Sequence, residues 1–272
     1  MKYTVLTLFP EITDAYFATS IMAKAIARGV IEYGAINIRD FAFDRHKTCD
    51  DAPYGGGPGM LMLPEPLGRA LEVAGARKKG QGEAESGHSA PPCTGGGKRV
   101  IYLSPSGRPF SQDLAWELAV QRELVLVCGR YEGIDQRVID LYIDDEISVG
   151  DYVLSSGEVA ALALIDATYR LVGAVIAPES LDEESFSGGL LEYPQYTRPE
   201  VYDTMRVPEV LISGHHENIR RWRLEKRVEK TLRERPDLIL RGRESALFGG
   251  ETNGIIDRLL PAEGNAAEGD KR

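Results

Sequence analysis

Two short apolar runs, each followed by glycine, tyrosine and an acidic residue, most strongly restrict how this chain can fold. The first runs from Leu124 to Cys128 and continues as Gly-Arg-Tyr-Glu-Gly-Ile-Asp; the second runs from Ile147 to Val149 and continues as Gly-Asp-Tyr-Val-Leu-Ser-Ser-Gly-Glu. Both patterns predict a buried strand that leads through a loop into a helix. Repeated strand–helix alternation predicts a mostly parallel sheet that is covered on both faces. Ligands of such sheets bind beyond the carboxyl ends of the strands, so these loops are the first candidate site.

The same alternation extends over residues 1–172, which we assign to one α/β domain. We predict strands at 3–9, 35–40, 99–103, 124–128 and 142–148, and helices at 11–28, 64–77, 111–120, 134–140 and 157–172. Ser111 is the expected N-cap of the third helix. Residues 78–98 are polar and rich in glycine and proline, which predicts a flexible surface loop, with His88 and Cys93 as solvated residues rather than ligands.

Beyond residue 172 the composition changes. We interpret residues 173–198 as an interdomain linker, 199–260 as a small all-helical domain and 261–272 as a polar tail. The stretch from Asn218 to Arg243 holds ten basic and four acidic residues, a local charge of +6 in a chain whose formal net charge is −10. A basic surface of this kind can bind RNA phosphates, with Trp222 on its apolar side. The alternative is a solvated helix whose tryptophan packs into the core.

Composition excludes several other classes of protein. No apolar run approaches the roughly eighteen residues of a membrane span. The apolar N-terminus is short and ends at Pro10, so we expect a first strand in a cytoplasmic protein rather than a signal peptide. The three cysteines are far apart and match neither a complete disulfide framework nor a zinc motif. We therefore predict no metal-ligand set.

A glycine-rich segment, Tyr54-Gly-Gly-Gly-Pro-Gly59, is the second candidate binding loop. Its glycines allow a backbone that presents N–H groups to a ligand, although a tight structural loop would have the same composition. No lysine follows the glycines and no GxGxxG pattern follows a strand, so neither nucleotide fingerprint applies. The missing lysine argues against a nucleotide phosphotransferase.

A third strand end, at Leu103-Ser-Pro-Ser-Gly-Arg108, should lie beside the first two. Glycines in these loops would let the backbone approach a flat ring, and Tyr131 and Tyr152 could stack on it or be core residues. An acidic cluster surrounds the second loop and could bind ribose hydroxyls, a sulfonium or Mg²⁺, or be a solvated turn. It consists of Asp144, Asp145, Glu146, Asp151 and Glu158. Asp166 and Arg170, four apart on a predicted helix, could form a surface pair, or Arg170 could stabilise negative charge on a substrate.

Several ordered blocks of the chain closely resemble the bacterial tRNA (guanine-37-N1)-methyltransferases of the SPOUT class. The blocks are Arg45-His-Lys, Pro53 to Met62, Tyr102-Leu-Ser-Pro105, Val127 to Asp135, Gly150 to Ser155, Gly188-Gly-Leu-Leu191, Tyr196 to Val201 and Ile219 to Arg223. The resemblance implies a deep trefoil knot in the α/β domain, an exception to un-knotted chains. It also implies S-adenosyl-L-methionine as cofactor, a dependence on Mg²⁺, tRNA as partner, and an obligate homodimer with the active site at the subunit interface.

The resemblance carries individual roles onto this chain. Cofactor binding falls on Tyr102, Leu103, Ser104, Gly129, Tyr131, Glu132, Val149, Gly150, Tyr152, Leu154 and Gly157. Contacts to tRNA fall on Arg45, His46, Asp50, Tyr54, Gly55, Gly56 and Gly57 of one subunit and on Arg198, Arg220, Arg221 and Arg223 of the other. The catalytic residues are Arg170 and Glu184.

Glu184 stands where the family has an aspartate, so the carboxylate is one methylene further from the backbone, and Asp182 is a second candidate. The expected reaction is methylation of guanine N1 at position 37, just 3′ of the anticodon. A non-catalytic RNA-binding module is the alternative, and binding of the cofactor would distinguish the two.

Overall fold

The computed structural model describes residues 1–80, 97–173, 175 and 184–260. Asp182, His88, Cys93, the polar tail and most of the predicted loop at 78–98 lie outside the described residues. The chain divides into a first unit, Met1–Ile176, and a second unit, Ala177–Arg272. Each is described separately below.

The first unit is built on a five-stranded sheet in which every pairing is parallel, so the predicted mostly parallel α/β fold is confirmed. The strand order is β2-β1-β6-β5-β7, and β3 and β4 form a separate antiparallel pair. The strands are β1 (Lys2–Thr7), β2 (Glu32–Asn37), β3 (Asp50–Asp51), β4 (Leu61–Met62), β5 (Lys98–Pro109), β6 (Glu123–Cys128) and β7 (Asp145–Ser148).

Helices cover both faces of this sheet. They are α1 (Pro10–Phe17), α2 (Ser20–Ala27), α3 (Pro64–Val73), α4 (Gln112–Ala119), α5 (Gln136–Tyr142) and α6 (Gly157–Tyr169). Leu124 and Leu126 of β6 pack with α1, α2, α4 and α6, whereas Val125 and Val127 pack with α3 and α5. Because successive side chains of a strand point to opposite faces, one apolar run supplies both cores. Ser111 accepts a hydrogen bond from the Leu114 N–H, 3.3 Å away, so the predicted cap of α4 is confirmed.

Several predicted boundaries are wrong, among them the end of the helix at 64–77 and the end of the strand at 99–103, and three others have a clear local cause. The helix predicted at 11–28 is two helices, because Thr19 adopts an extended conformation and its hydroxyl bonds the Tyr16 carbonyl. β2 ends before 40, because the Asn37 side chain accepts the Arg39 N–H and starts a 3₁₀ turn. The strand predicted from 142 begins at Asp145, because Tyr142 still belongs to α5 and packs its ring into the core.

The second unit contains four helices and a short hairpin among its described residues. The elements are β8 (Val201–Tyr202), β9 (Met205–Arg206), α7 (Glu209–Ile212), α8 (His216–Glu234), α9 (Pro236–Glu244) and α10 (Gly250–Leu259). The antiparallel pair of β8 and β9 departs from the predicted all-helical composition. The core of the second unit consists of Leu190, Val228, Ile239, Phe248, Ile255 and Ile256. In the described ranges of both units, no helix combines the length and the apolar character needed to cross a membrane.

Candidate functional site

A cavity of about 280 Å³ lies at the carboxyl ends of β6 and β7, beside the middle of β5. Its walls are the loops that follow β6 and β7, as expected for a parallel sheet, and residues 102–106 of β5. All the residues to which the sequence assigns cofactor binding line it: Tyr102, Leu103, Ser104, Gly129, Tyr131, Glu132, Val149, Gly150, Tyr152, Leu154 and Gly157. Their cofactor role stays a prediction. The cavity also includes Pro105, Ser106 and Arg130, which sequence reasoning did not assign.

Tyr102 forms the buried end of the cavity. Tyr102 is only 7% exposed, and its hydroxyl lies beside the backbone of Ile134. Burial, followed by the nearby Glu146 carboxylate, raises the pKa of Tyr102, so the hydroxyl is neutral at physiological pH. A Cβ atom at Gly129 would lie 2.9 Å from this ring, so only glycine leaves room for Tyr102 beside the loop.

The start of α6 is seated directly on the end of β6. The Gly157 N–H donates to the Gly129 carbonyl at 2.9 Å. A Cβ atom on Gly157 would lie 2.7 Å from Cα of Cys128 and 2.8 Å from the Gly129 nitrogen. This close approach brings the second loop against the first and closes one side of the cavity.

Tyr131 connects the cavity to the residues assigned to tRNA. It adopts a left-handed conformation with φ +57°, which is uncommon for a residue other than glycine and frequent at functional sites. Its hydroxyl lies beside the Asp50 carboxylate and the Arg39 guanidinium. Desolvation first, and then the Asp50 carboxylate, raise the pKa of Tyr131. A cavity residue and a candidate tRNA residue therefore lie beside each other.

The glycine-rich segment extends from the same edge into solvent. Tyr54 is fully exposed, and φ is positive at Gly55, Gly56 and Gly57. The backbone that follows is bonded to the cavity loop: the Glu132 N–H donates to Met60 and the Met62 N–H donates to Gly133, each at 3.0 Å. This arrangement fits an exposed contact loop better than a packed structural turn.

Arg45 and His46 are also exposed and belong to a turn organised by Asp44. The Asp44 carboxylate accepts hydrogen bonds from the backbone N–H groups of His46 and Thr48 and from the Thr48 hydroxyl. These bonds, above all those from Thr48, lower the pKa of Asp44. The two basic side chains are thus presented outward from an ordered turn.

The predicted acidic cluster is divided among structural contacts. Asp145 is mostly buried and pairs with Arg99 and Arg108, and the exposed Asp144 accepts the Val100 N–H at 2.8 Å. These two carboxylates form neither a simple solvated turn nor a ligand site. Within the part of the chain that the structure describes, no three His, Cys, Asp or Glu side chains gather as a metal site would require.

Glu158 has a separate environment behind the cavity wall. It is fully buried, and its Oε1 accepts a hydrogen bond of 2.5 Å from Thr7 Oγ1. Its Oε2 lies 3.4 Å from Nη2 of Arg130, whose guanidinium lies 4.4 Å from the centre of the Phe9 ring. A buried carboxylate requires such partners, so Glu158 supports the Arg130 loop rather than facing solvent.

Arg170 is half-buried at the C-cap of α6. Asp166, the residue one turn earlier, accepts a hydrogen bond from the Tyr16 hydroxyl, which connects α6 to α1. Burial, followed by this bond to Asp166, raises the pKa of Tyr16. Asp166 therefore has a role in helix packing that its spacing from Arg170 does not indicate.

In the second unit, Glu184 is half-buried in a turn that precedes the segment 187–189. The basic residues of α8 fall into two groups. Arg220 pairs with Glu217 at 2.8 Å and with Glu251 at 2.9 Å, whereas Arg221 is exposed. Arg223 lies over the Tyr193 ring, 4.8 Å from its centre, and Arg198 is exposed. The local positive charge is thus partly offset within the unit.

Trp222 contacts the segment before the hairpin rather than the core of the second unit. It is half-buried, with its ring centre 6.4 Å from that of Tyr196, and it is not among the residues of the cluster around Val228. Neither of the two sequence interpretations anticipated this placement.

Comparison with known proteins gives consistent matches. The family model described as tRNA (Guanine-1)-methyltransferase TrmD matches residues 1–241. A protein of Treponema denticola named tRNA (guanine-N(1)-)-methyltransferase is 58% identical over 256 residues, which are 94% of this chain and 98% of that protein. Proteins with the same name from Treponema pallidum and Borreliella burgdorferi are 54% and 53% identical, over 95% and 94% of this chain and 96% and 98% of their own lengths.

Proposed function

Because the chain belongs to the tRNA (guanine-1)-methyltransferase family, we propose that it transfers a methyl group from S-adenosyl-L-methionine to N1 of guanine 37 in tRNA. The observation that carries this proposal is the cavity between the middle of β5 and the ends of β6 and β7, which lies beside the exposed glycine-rich loop. Backbone hydrogen bonds from Glu132 to Met60 and from Met62 to Gly133 join this small-molecule site to a loop suited to RNA.

The residues of the cavity fit this cofactor. Leu103, Val149 and Leu154 supply apolar surface for a flat ring, while glycine-rich backbone at 129–133 supplies polar groups at close range. Glu132 offers a carboxylate for hydroxyl groups or a positive charge. When bound, the cofactor supplies an electrophilic methyl group attached to a positively charged sulfur.

Neutral guanine carries a proton on N1 and is a weak nucleophile there, so a base has to remove it. We assign that role to Glu184. As its carboxylate accepts the proton, the N1 lone pair forms the new bond to the methyl carbon. The cofactor that Tyr102, Leu103 and Gly129 would hold would supply this methyl group and would keep the carbon–sulfur electron pair on its sulfur. Arg170 stabilises the negative charge that develops on guanine O6.

Positioning accounts for much of the rate in this scheme, because the acceptor nitrogen, methyl carbon and sulfur have to be in line. The exposed residues Arg45, His46 and Tyr54, with Gly55 to Gly57, hold the anticodon loop from one subunit. Arg198, Arg221 and Arg223 contact tRNA from the second unit. Arg220 pairs with Glu217 on α8 and with Glu251 on α10, and so contributes to these contacts by holding the two helices together.

The proposal includes a trefoil knot and a homodimer. Ile147 of β7 pairs with both Leu103 and Arg108 of β5, and a Cβ atom on Gly107 would lie 2.4 Å from the Ile147 nitrogen. Such a close crossing supports threading of the chain through this loop. Val153 and Val159, beside the cavity, are 84% and 55% exposed, and a second copy of the chain would cover them.

The acidic turn at Asp144 and Asp145 does not fit a Mg²⁺ site, because the Asp145 carboxylate is paired with arginines and Asp144 accepts a backbone N–H. We derive no step through a metal at that position. A tRNA substrate would place the enzyme in the cytoplasm.

Mass mapping of modified tRNA tests the proposed function. The protein is incubated with cofactor and a tRNA transcript that has guanine at position 37, and with a second transcript that has adenine there. We expect one methyl group on the nuclease fragment with guanine 37 and none on the second transcript. Arg170→Ala, as a matched control, should bind the cofactor but transfer the methyl group at least about 100-fold more slowly. Methylation at another nucleotide would refute the site assignment, and absence of cofactor binding in calorimetry would favour a non-catalytic RNA-binding module.

A further inference from the structure

The segment from Glu184 to Glu192 is fastened to one turn of α8. Arg227 donates from Nη2 to the Ser187 carbonyl at 2.6 Å and from Nε to the Leu191 carbonyl at 3.3 Å. One turn later, the Thr231 hydroxyl accepts the Leu191 N–H at 2.9 Å and donates to the Arg227 carbonyl at 2.7 Å. Two side chains of a single helix therefore hold both sides of this segment.

The bonds continue from Ser187 to Glu184. The Ser187 N–H donates to the Glu184 carbonyl at 3.1 Å, and the Phe186 N–H donates to the Leu190 carbonyl at 2.7 Å. Leu190 is 3% exposed and packs with Val228 on α8. The backbone of Glu184 is thus connected to the helix through an unbroken series of hydrogen bonds and one buried side chain.

Arg227 belongs to the basic stretch that the sequence assigned to RNA phosphates, yet its guanidinium donates hydrogen bonds to backbone carbonyls. A guanidinium can donate from separate nitrogens to two acceptors at fixed positions, which a lysine ammonium does less well. Lys226, its neighbour in sequence, pairs with Glu229 instead. Arg227 therefore holds the 184–192 segment against α8 through two backbone carbonyls.

We propose that Arg227 is a positioning residue for methyl transfer, which holds Glu184 on the second unit through Ser187 and Leu191. The inference rests on the proposed role of Glu184 as proton acceptor. In this proposal two residues of α8 have different roles. The exposed Arg221 contacts RNA, while Arg227 positions the proton acceptor, Glu184.

Arg227→Met tests this role, because methionine keeps apolar length and removes every donor. Thr231→Val is a second variant that removes the contact to the Leu191 N–H together with the hydroxyl's own bond to the Arg227 carbonyl. Arg221→Met on the same helix is the matched control for lost positive charge, and Arg227→Lys tests whether charge alone suffices. Each full-length variant is measured for kcat and KM with tRNA, cofactor affinity, the salt dependence of tRNA binding, and amide hydrogen exchange over residues 186–191.

For Arg227→Met we expect kcat to fall roughly ten- to hundredfold, the range for loss of charge-assisted hydrogen bonds, with little change in cofactor affinity. Exchange at the Phe186, Ser187 and Leu191 amides should rise by a similar factor. The slope of log Kd against log salt should stay as in the unmodified protein, whereas Arg221→Met should lower it by about one. Arg227→Lys should recover only part of kcat, and Thr231→Val should show the same pattern more weakly.

Unchanged kcat and exchange in Arg227→Met would overturn the proposal, as would a reduced salt slope with unchanged kcat, which would make Arg227 a phosphate contact. Failure of the proposed function is distinguishable from either result. If Glu184→Ala keeps its activity while Arg227→Met still raises amide exchange, Arg227 does hold the 184–192 segment, but Glu184 is not the proton acceptor.

Discussion

The Thr7 hydroxyl donates a hydrogen bond of 2.5 Å to Oε1 of Glu158, which joins the first strand of the sheet to the first turn of α6. Neither side chain is accessible to solvent. The other carboxylate oxygen faces Arg130, which lines the cavity. The wall of the candidate cofactor site is therefore supported by a buried charge that is not itself part of the cavity lining.

Replacing Glu158 with glutamine should weaken both the fold and the cofactor site. The substitution keeps the shape but leaves the Arg130 charge without its buried partner, which typically destabilises a protein by about 3 kcal/mol. We expect that loss in denaturant unfolding and a fall of about tenfold in cofactor affinity by calorimetry. Thr7→Val, which removes the bond to Glu158 and the bond from the Phe9 N–H but leaves the charge pair, should lose about 2 kcal/mol. Equal stability of Glu158→Gln and the unmodified protein would contradict this account.

Adding one methyl group at Gly157 should damage the cavity. In Gly157→Ala the new Cβ would meet Cα of Cys128 at 2.7 Å, so α6 has to move away from the end of β6. Overpacking of this kind usually costs about 1–3 kcal/mol, and we expect cofactor affinity to fall with it. Gly34→Ala is the matched control, since nothing lies within 4 Å of the added atom. Thermal unfolding and calorimetry should show lower stability and weaker cofactor binding for Gly157→Ala than for Gly34→Ala. Equal values for the two variants would mean that α6 can shift to accommodate the methyl group without loss.

Removing the Glu184 carboxylate should abolish turnover without affecting cofactor binding. A positioned general base contributes about 10²–10⁴-fold, so Glu184→Ala should lose at least two orders of magnitude in single-turnover methyl transfer. Glu184→Asp keeps a carboxylate at this position and should retain much more activity than alanine. The rate constant is measured at saturating tRNA and cofactor. Near-normal transfer by Glu184→Ala would direct attention to Asp182.

The pH dependence of stability should contain a contribution from Glu123, at the end of the sheet away from the cavity. Burial opposes its ionisation, but hydrogen bonds from Lys2, Thr4 and Lys98 outweigh burial and lower its pKa. Stability from this group is therefore present above the ordinary glutamate pKa, about 4.3, and is lost as pH falls through the lower folded value. In Glu123→Gln the free energy of unfolding should decrease less steeply below about pH 5. Parallel curves for the two proteins in denaturant titrations would refute this.

Regular patterns in the sequence predicted most of the sheet and the loops around the cavity. The strand at Leu124 to Cys128 was evident because it is apolar throughout and bounded by glycine, and the loops after it necessarily lie at one sheet edge. Element ends were harder, since Thr19 and Asn37 stop their elements through side-chain bonds that no hydrophobic period records.

Charged residues were the least predictable part of the site. Glu158 and Asp145 look alike in the sequence, yet one is buried against Thr7 and the other pairs with two arginines. Likewise Arg220, Arg221 and Arg227 share one helix but contact carboxylates, solvent and backbone carbonyls. Such partners come from distant parts of the chain, so local spacing carries no information about them. The catalytic and binding assignments stay predictions.

The double pairing of Ile147 with Leu103 and Arg108 has a consequence for how preparations of this protein can be assayed. The cavity has no complete wall until β7 has joined both parts of β5, and pairing between separate segments generally forms more slowly than local structure. A chain that stops short of that step has its sheet core but no receptor for the ligand. The fraction of molecules that bind one cofactor would therefore measure the fraction that is fully folded. Helix content measured by circular dichroism would overestimate that fraction.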